Sequence, residues 1–126
     1  MKRMDIKSHC PINFTLEVVG DPWSLLILRD IAFFEKNTFK DFLESSERIT
    51  TNILTNRLFM LEKNGILTKE PHPTDLRSSL YTLTKKGHGL IPLLIAMVKW
   101  GTKHDPHSTG HAYKNSFQEF KKNQAC

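Results

Sequence analysis

The chain has little cysteine: two residues, Cys10 and Cys126, stand near opposite ends of 126. So few thiols cannot form the dense disulfide framework of a small secreted domain. A cytosolic setting is therefore expected, and it makes the Asn13-Phe14-Thr15 sequon irrelevant. Long apolar runs are missing too. The longest, LIPLLIAMV at 90–98, falls well short of the roughly 20 residues that span a bilayer. The opening MKRMDIKSHCP carries no apolar leader segment. No phosphate-cradling G-x-x-x-x-G-K-[ST], no G-x-G-x-x-G, no G-x-S-x-G and no H-E-x-x-H occurs, and the acidic residues form no catalytic pair. These absences leave a soluble, cytoplasmic, non-enzymatic protein without a cofactor as the expectation.

What is present is an ordinary globular composition with a basic excess. Apolar residues make up 39% and charged residues 25%, with 18 Lys plus Arg against 13 Asp plus Glu, a formal charge of +5. One domain with a modest core is expected. The excess favours a polyanionic partner without identifying one.

Four helices are predicted in the first half. Residues 1–9 read as a flexible polar arm. CPINFTLEVVG, 10–20, has Pro11 in its first turn, Gly20 just past its end and Ile12, Leu16 and Val19 on one face. Asp21-Pro22 starts a second helix over 22–35, apolar almost all round and so central; Arg29 and Asp30 interrupt it. A short helix, 38–46, and the turn SERIT lead to a longer helix from Thr51 to Asn64, capped by Thr50 and closed by Gly65. Short helix, tight turn and longer helix is the helix-turn-helix layout.

On the longer helix Leu54, Leu58 and Leu61 form the buried stripe. The opposite face carries Asn52, Asn56, Phe59 and Lys63, flanked by Thr51 and Thr55. Asn can pair bidentately with adenine, and Thr can meet the thymine methyl, so these types suit a recognition helix. Phe59 is odd there: it packs against sugar or the next hairpin, or belongs to the core if the phase is one residue off. Arg57 lies to the side, open to a phosphate or to a carboxylate such as Glu62.

ILTKEPH and LYTLT alternate as strands around PTDLRSS, a hairpin with Arg77 near its tip. Arg suits a narrow minor groove. Lys63 and Lys69 are phosphate contacts or solubilising charges. Residues 88–104 read as one long helix with Pro92 early in it or kinking it. Its apolar surface, with Leu94, Met97 and Trp100, exceeds what one small domain covers. Paired with Ile12 and Leu16, it suggests a dimer interface. Trp23, Phe33, Phe34 and Trp100 could line an effector pocket at the dimer junction, though nothing in the sequence demands it. From 105 to 126 the chain is polar, a tail or a short appended helix with Tyr113, Phe117 and Phe120 at helical spacing. His104, His107 and His111 give H-x2-H-x3-H, but Pro106 and Gly110 break any shared helix, so no metal site is assigned. Cys10 precedes the helix beginning at Pro11, and a helix N-terminus favours thiolate. An inert thiol is the alternative.

Six motifs then fall in order: Cys10-Pro11; Gly20-x-x-Trp23-x-x-x-Ile27-Leu28; Phe39-x-x-Phe42; Ile49-Thr50-x-x-x-Leu54-Thr55-x-Arg57-Leu58-x-x-Leu61-Glu62-x-x-Gly65-Ile66-Leu67; Tyr81-x-Leu83-Thr84-x-x-Gly87; and Trp100-Gly101. Over residues 10–104 the chain resembles the HxlR-type transcriptional regulators, winged helix-turn-helix proteins related to the MarR regulators. The resemblance implies a mainly α fold with a small β-hairpin wing (α+β), dimerising through its N- and C-terminal helices. It implies a homodimer on palindromic double-stranded DNA, with the fourth helix in the major groove and the wing near the minor groove. Several members sense electrophiles, aldehydes or oxidants through a cysteine placed like Cys10; Cys126 matches no family position. The competing expectation is a winged-helix module that binds protein, which calls for a recognition face poor in base-reading side chains and an acidic or apolar wing.

Overall fold

Thr38, Thr50 and Thr84 each begin a helix in the same way. Each hydroxyl accepts the amide of the residue three positions on: Asp41 at 3.1 Å, Ile53 at 3.3 Å and Gly87 at 3.0 Å. At Thr38 the Asp41 carboxylate bonds back to the Thr38 amide and completes a capping box. These caps set the phase of α3 (Phe39–Leu43), α4 (Thr51–Lys63) and α5 (Lys85–His88). The computed structural model describes residues 6–113.

Before them lie α1 (Pro11–Val19) and α2 (Ser24–Phe34). Asp21 is not the N-cap expected of it: α2 begins two residues later than Pro22, and Trp23 stands at its N-cap without a side-chain cap bond. The Asp21 carboxylate takes the amides of both Trp23 and Ser24 at 2.9 Å, so residues 21–23 form a turn. Glu35 ends α2 in the left-handed region, φ 54°.

Gly65, at φ 74°, turns the chain out of α4. β1 (Leu67–Pro71) and β2 (Ser79–Leu83) then pair antiparallel, from Leu67 opposite Leu83 to Pro71 opposite Ser79. β1 is shorter than the sequence suggests, whereas β2 keeps its five residues and starts one residue earlier. The expected single C-terminal helix is divided: α5 is one turn, and α6 (Ile91–His104) follows with Pro92 in its first turn. The division has a cause. The Thr84 hydroxyl caps α5 and donates to the Gly65 carbonyl at 2.5 Å, while the Thr84 amide donates to the Ile66 carbonyl, which ties this turn to the base of the hairpin. Lys86 Nζ donates to the Asn64 carbonyl at 2.8 Å and closes the C-terminal end of α4.

The core lies where α2, α3 and α4 meet the hairpin and α6. Leu28, Phe42, Leu54, Leu61, Ile66 and Leu67 are its most enclosed side chains. Phe42 and Tyr81, ring centroids 6.0 Å apart, fasten α3 to β2, and the Tyr81 amide donates to the Asn37 carbonyl. Residues 105–113, expected as part of a polar tail or a short appended helix, fold back on the domain. A 3-10 turn, Gly110–Tyr113, places Tyr113 against Phe33 and Phe34, at 5.5 and 5.2 Å between ring centres. Aromatic burial outweighs the polarity around it. Phe117, Phe120 and Cys126 lie outside the described residues, as do residues 1–5.

Candidate nucleic-acid interface

Helix α4 sits with Leu54, Leu58 and Leu61 buried, which fixes what its other side shows. Thr51, Asn52, Thr55, Asn56 and Lys63 are all exposed there. Phe59 is 60% exposed on the same face, so the helical phase is the expected one and Phe59 is not core. The Thr50 hydroxyl is occupied by its cap to Ile53.

Arg57 does not reach Glu62. Its Nη1 lies 3.2 Å from Asp21 Oδ1, in the turn before α2. Its Nε donates to Asn56 Oδ1 at 3.0 Å, and Nη2 donates to the same oxygen. Burial opposes ionisation of Asp21. The Ser24 hydroxyl, the Trp23 and Ser24 amides and the Arg57 charge outweigh it and hold this carboxyl below the ordinary carboxylate range.

The wing is ordered at its tip. His72 Nδ1 accepts the amides of Thr74 and Asp75, each at 3.1 Å, and Asp75 Oδ1 accepts the amide of Arg77 at 3.1 Å. Arg77 is exposed beside Leu76, which is 94% exposed. Lys69 shares a sheet face with Leu67 and Tyr81 and remains exposed. On the other face the Thr68 and Thr82 hydroxyls meet at 2.7 Å.

Sequence reasoning missed the network that fixes the turn before α4. Arg29 Nη1 and Nη2 donate to Glu47 at 2.6 and 2.9 Å. Nε and Nη2 donate to Asp30 Oδ1 at 3.0 and 2.8 Å, and the Ser45 hydroxyl donates to Asp30 Oδ2. Asp30 and Ser45 are buried. The charge pair in an apolar helix was a signal, but its partners were not legible.

At the other pole, Ile12, Leu16, Met97 and Trp100 are 71, 56, 50 and 69% exposed. Leu94, expected with them, is instead buried in the protomer's own core at 6% exposure, because its side of α6 faces inward. An apolar groove of about 740 Å³ runs between α1 and α6, lined by Ile12, Leu16, Leu25, Leu90, Leu93 and Met97 among others. Trp23, Phe33, Phe34 and Trp100 do not line it. Trp100 stacks on His104, ring centroids 4.7 Å apart. Cys10 is an exposed free thiol at the start of α1. The amides of Asn13 and Ile12 lower its pKa from the ordinary thiol value, although it forms no side-chain hydrogen bond of normal capping geometry. Among the described residues no three His, Cys, Asp or Glu side chains gather to hold a metal ion, and no helix is long and apolar enough to cross a membrane.

Comparison with known proteins agrees with this geometry. The family model of the HxlR-like helix-turn-helix matches residues 18–109. YybR of Bacillus subtilis, an uncharacterised HTH-type transcriptional regulator, is 33% identical over 99 residues, covering 75% of either chain. A solved structure of PA1607, a putative transcription factor, superposes with TM-score 0.70 at 37% identity over 82% of this chain and 72% of its own. The redox regulator HypR in its oxidised form does so with TM-score 0.66 at 31% identity, over 75% of this chain and 97% of HypR. Its helix-turn-helix and hairpin are therefore those of a winged-helix transcription factor, and the chain belongs to the HxlR-like family of transcriptional regulators.

Proposed function

We propose that the protein binds a palindromic DNA operator as a homodimer, with α4 in the major groove and the wing at the adjacent minor groove. One observation carries this reading: the exposed face of α4 presents Thr51, Asn52, Thr55 and Asn56 together, side chains with the donors, acceptors and methyl groups that address base edges. Arg57 takes the structural role, held by Asp21. Lys63, Lys69 and Arg77 supply positive charge around the reading face, with Arg77 at the wing tip suited to a narrow minor groove.

The exposed apolar surface of α1 and α6 is the dimer contact in this reading. Ile12, Leu16, Met97 and Trp100 are the side chains a second protomer covers. A dimer places two recognition helices about 34 Å apart, one turn of the duplex, so a small rotation at the contact removes both half-sites together. Cys10 lies at that contact, exposed and with a lowered pKa, and its modification by an electrophile or oxidant is the switch we assign.

Fluorescence anisotropy with DNA upstream of its own gene tests the binding, and light scattering tests the dimer. Sequence-selective binding that weakens steeply with salt supports the reading. Equal binding to unrelated DNA, or a monomer's mass with operator absent and present, refutes it. Cys10→Ser keeps DNA binding and loses the response to diamide or aldehyde; an unchanged response removes Cys10 from the switch.

A further inference from the structure

We infer that Asp21 and Arg57 fix Asn56 as a hydrogen-bond donor, so that at this position the recognition helix reads acceptor-bearing base edges rather than adenine. The inference deepens the DNA-binding reading and rests on it.

A free Asn side chain reads adenine by using both ends of its amide. The oxygen accepts from adenine N6, and the nitrogen donates to N7. Asn56 has only one end to offer. Arg57 Nε donates to Asn56 Oδ1 at 3.0 Å, and Nη2 donates to the same atom. An amide oxygen has two lone pairs, and both are directed at the guanidinium. The Nδ2 amino group is left to face the groove.

The clamp is anchored, not a passing contact of two surface side chains. Arg57 is only 21% exposed, and its Nη1 is held 3.2 Å from Asp21 Oδ1. Asp21 is itself immobilised: Oδ2 takes the Trp23 and Ser24 amides at 2.9 Å, and Oδ1 takes the Ser24 hydroxyl at 2.6 Å. Ser24 is 1% exposed. The order of dependence therefore runs from the turn before α2 to Asp21, from Asp21 to Arg57, and from Arg57 to the amide of Asn56. Asp21 and Arg57 are positioning residues; Asn56 is the one that meets the base.

A donor-only side chain favours guanine, which shows N7 and O6, and thymine, which shows O4. Adenine offers it N7 but sets the N6 donor beside that acceptor, and cytosine meets it with the N4 donor. Releasing the oxygen restores the bidentate adenine pair. Arg57→Met keeps the length and apolar stem of the side chain and removes every donor. Asp21→Asn keeps an oxygen that can accept the Trp23 and Ser24 amides, and removes the charge that anchors Arg57.

The test is selection from randomised duplexes with the full-length wild type, Asn56→Ala, Arg57→Met and Asp21→Asn. The Asn56→Ala profile identifies which base position this residue reads. There the wild type favours guanine or thymine. Arg57→Met shifts the ratio of adenine to guanine about tenfold toward adenine, and Asp21→Asn shifts it part of the way. A wild-type preference for adenine that Arg57→Met leaves unchanged overturns the inference. A shift with Arg57→Met and none with Asp21→Asn overturns the part assigned to Asp21. Amide NMR without DNA separates the two readings. The Asn56 Nδ2 resonances move in Arg57→Met if the clamp exists and stay in place if it does not. Wild-type protein whose clamp is intact by NMR but which selects no sequence refutes DNA reading instead. Circular dichroism confirms that each variant is folded.

Discussion

Arg29 on α2 grips Glu47, in the turn before α4, through two hydrogen bonds of 2.6 and 2.9 Å. The pair joins the central helix to the segment that leads into α4. Arg29 also holds the buried Asp30, whose other carboxylate oxygen accepts the Ser45 hydroxyl. One guanidinium therefore holds the first half of the turn, at Glu47 directly and at Ser45 through Asp30.

The hydrogen bonds from Arg29 lower the pKa of Glu47; burial opposes them, and the Arg29 charge adds to the lowering. A carboxylate whose pKa falls on folding stabilises the fold above its unfolded-state value. That contribution disappears as pH falls through the folded value. Glu47→Gln is thus expected to lower the melting temperature at pH 7 by roughly 3–6 °C, the effect of about 1 kcal/mol in a domain of this size. The gap between wild type and variant narrows below about pH 4, where glutamate protonates in the unfolded chain. Thermal melts from pH 3 to 7 check both; a gap that is constant over this range contradicts the assigned charge.

Gly87 stands against the carbonyl of Ile66. A methyl group in its place lies 2.3 Å from that oxygen, which is backbone and already accepts the Thr84 amide. Neither α5 nor the hairpin base can move without breaking the Thr84 cap. Gly87→Ala is expected to destabilise the fold by about 1–3 kcal/mol, as overpacking does. Chemical denaturation measures it. Gly101→Ala, inside α6 with nothing within 4 Å, is the control and should instead be neutral or stabilise by up to about 1 kcal/mol through helix propensity.

Leu94 and Met97 lie a turn apart on α6 but face different surroundings. Leu94 is 6% exposed and Met97 50%. Leu94→Ala removes core packing and is expected to cost about 2–5 kcal/mol. Met97→Glu leaves that core in place and shifts monomer stability by under about 1 kcal/mol. Its effect is on assembly: a charge in the proposed contact halves the mass seen by light scattering, whereas Leu94→Ala leaves the folded fraction dimeric. A Met97→Glu protein that stays fully dimeric moves the interface away from this face.

Local rules made much of this fold legible. Threonine caps at 38 and 50 and the left-handed Gly65 follow from short-range chemistry, which a sequence displays directly, whereas the Thr84 cap and the separate α5 were not read from it. The phase of α4 follows from Leu54, Leu58 and Leu61, and it placed Thr51, Asn52, Thr55 and Asn56 outward. What escaped were pairings set by tertiary contact. Arg29 meets Glu47 and Arg57 meets Asp21, each across a long stretch of chain, and several carboxylates were equally eligible by sequence. Leu94 and Met97 belong to one apolar stripe, and only the position of the neighbouring helices decides which of them is covered. Tyr113 escaped for the opposite reason: a polar neighbourhood hid an aromatic side chain that packs on Phe33 and Phe34.

Lys63 and Asn52 share the exposed face of α4, yet their chemistry separates their roles. A lysine ammonium neutralises a phosphate and carries no base information, whereas an asparagine amide addresses a base edge. Lys63→Ala is expected to weaken operator and non-operator DNA alike. With one contact per protomer in a dimer, it lowers the slope of log K against log salt by about 2. Asn52→Ala is expected to leave that slope unchanged and weaken the operator alone, by about 1–3 kcal/mol for each base pair read. Anisotropy titrations at several salt concentrations, on operator and scrambled duplexes, resolve the two effects. If Asn52→Ala lowers affinity equally for both duplexes, Asn52 contacts the backbone, and base reading falls to the remaining side chains of the face.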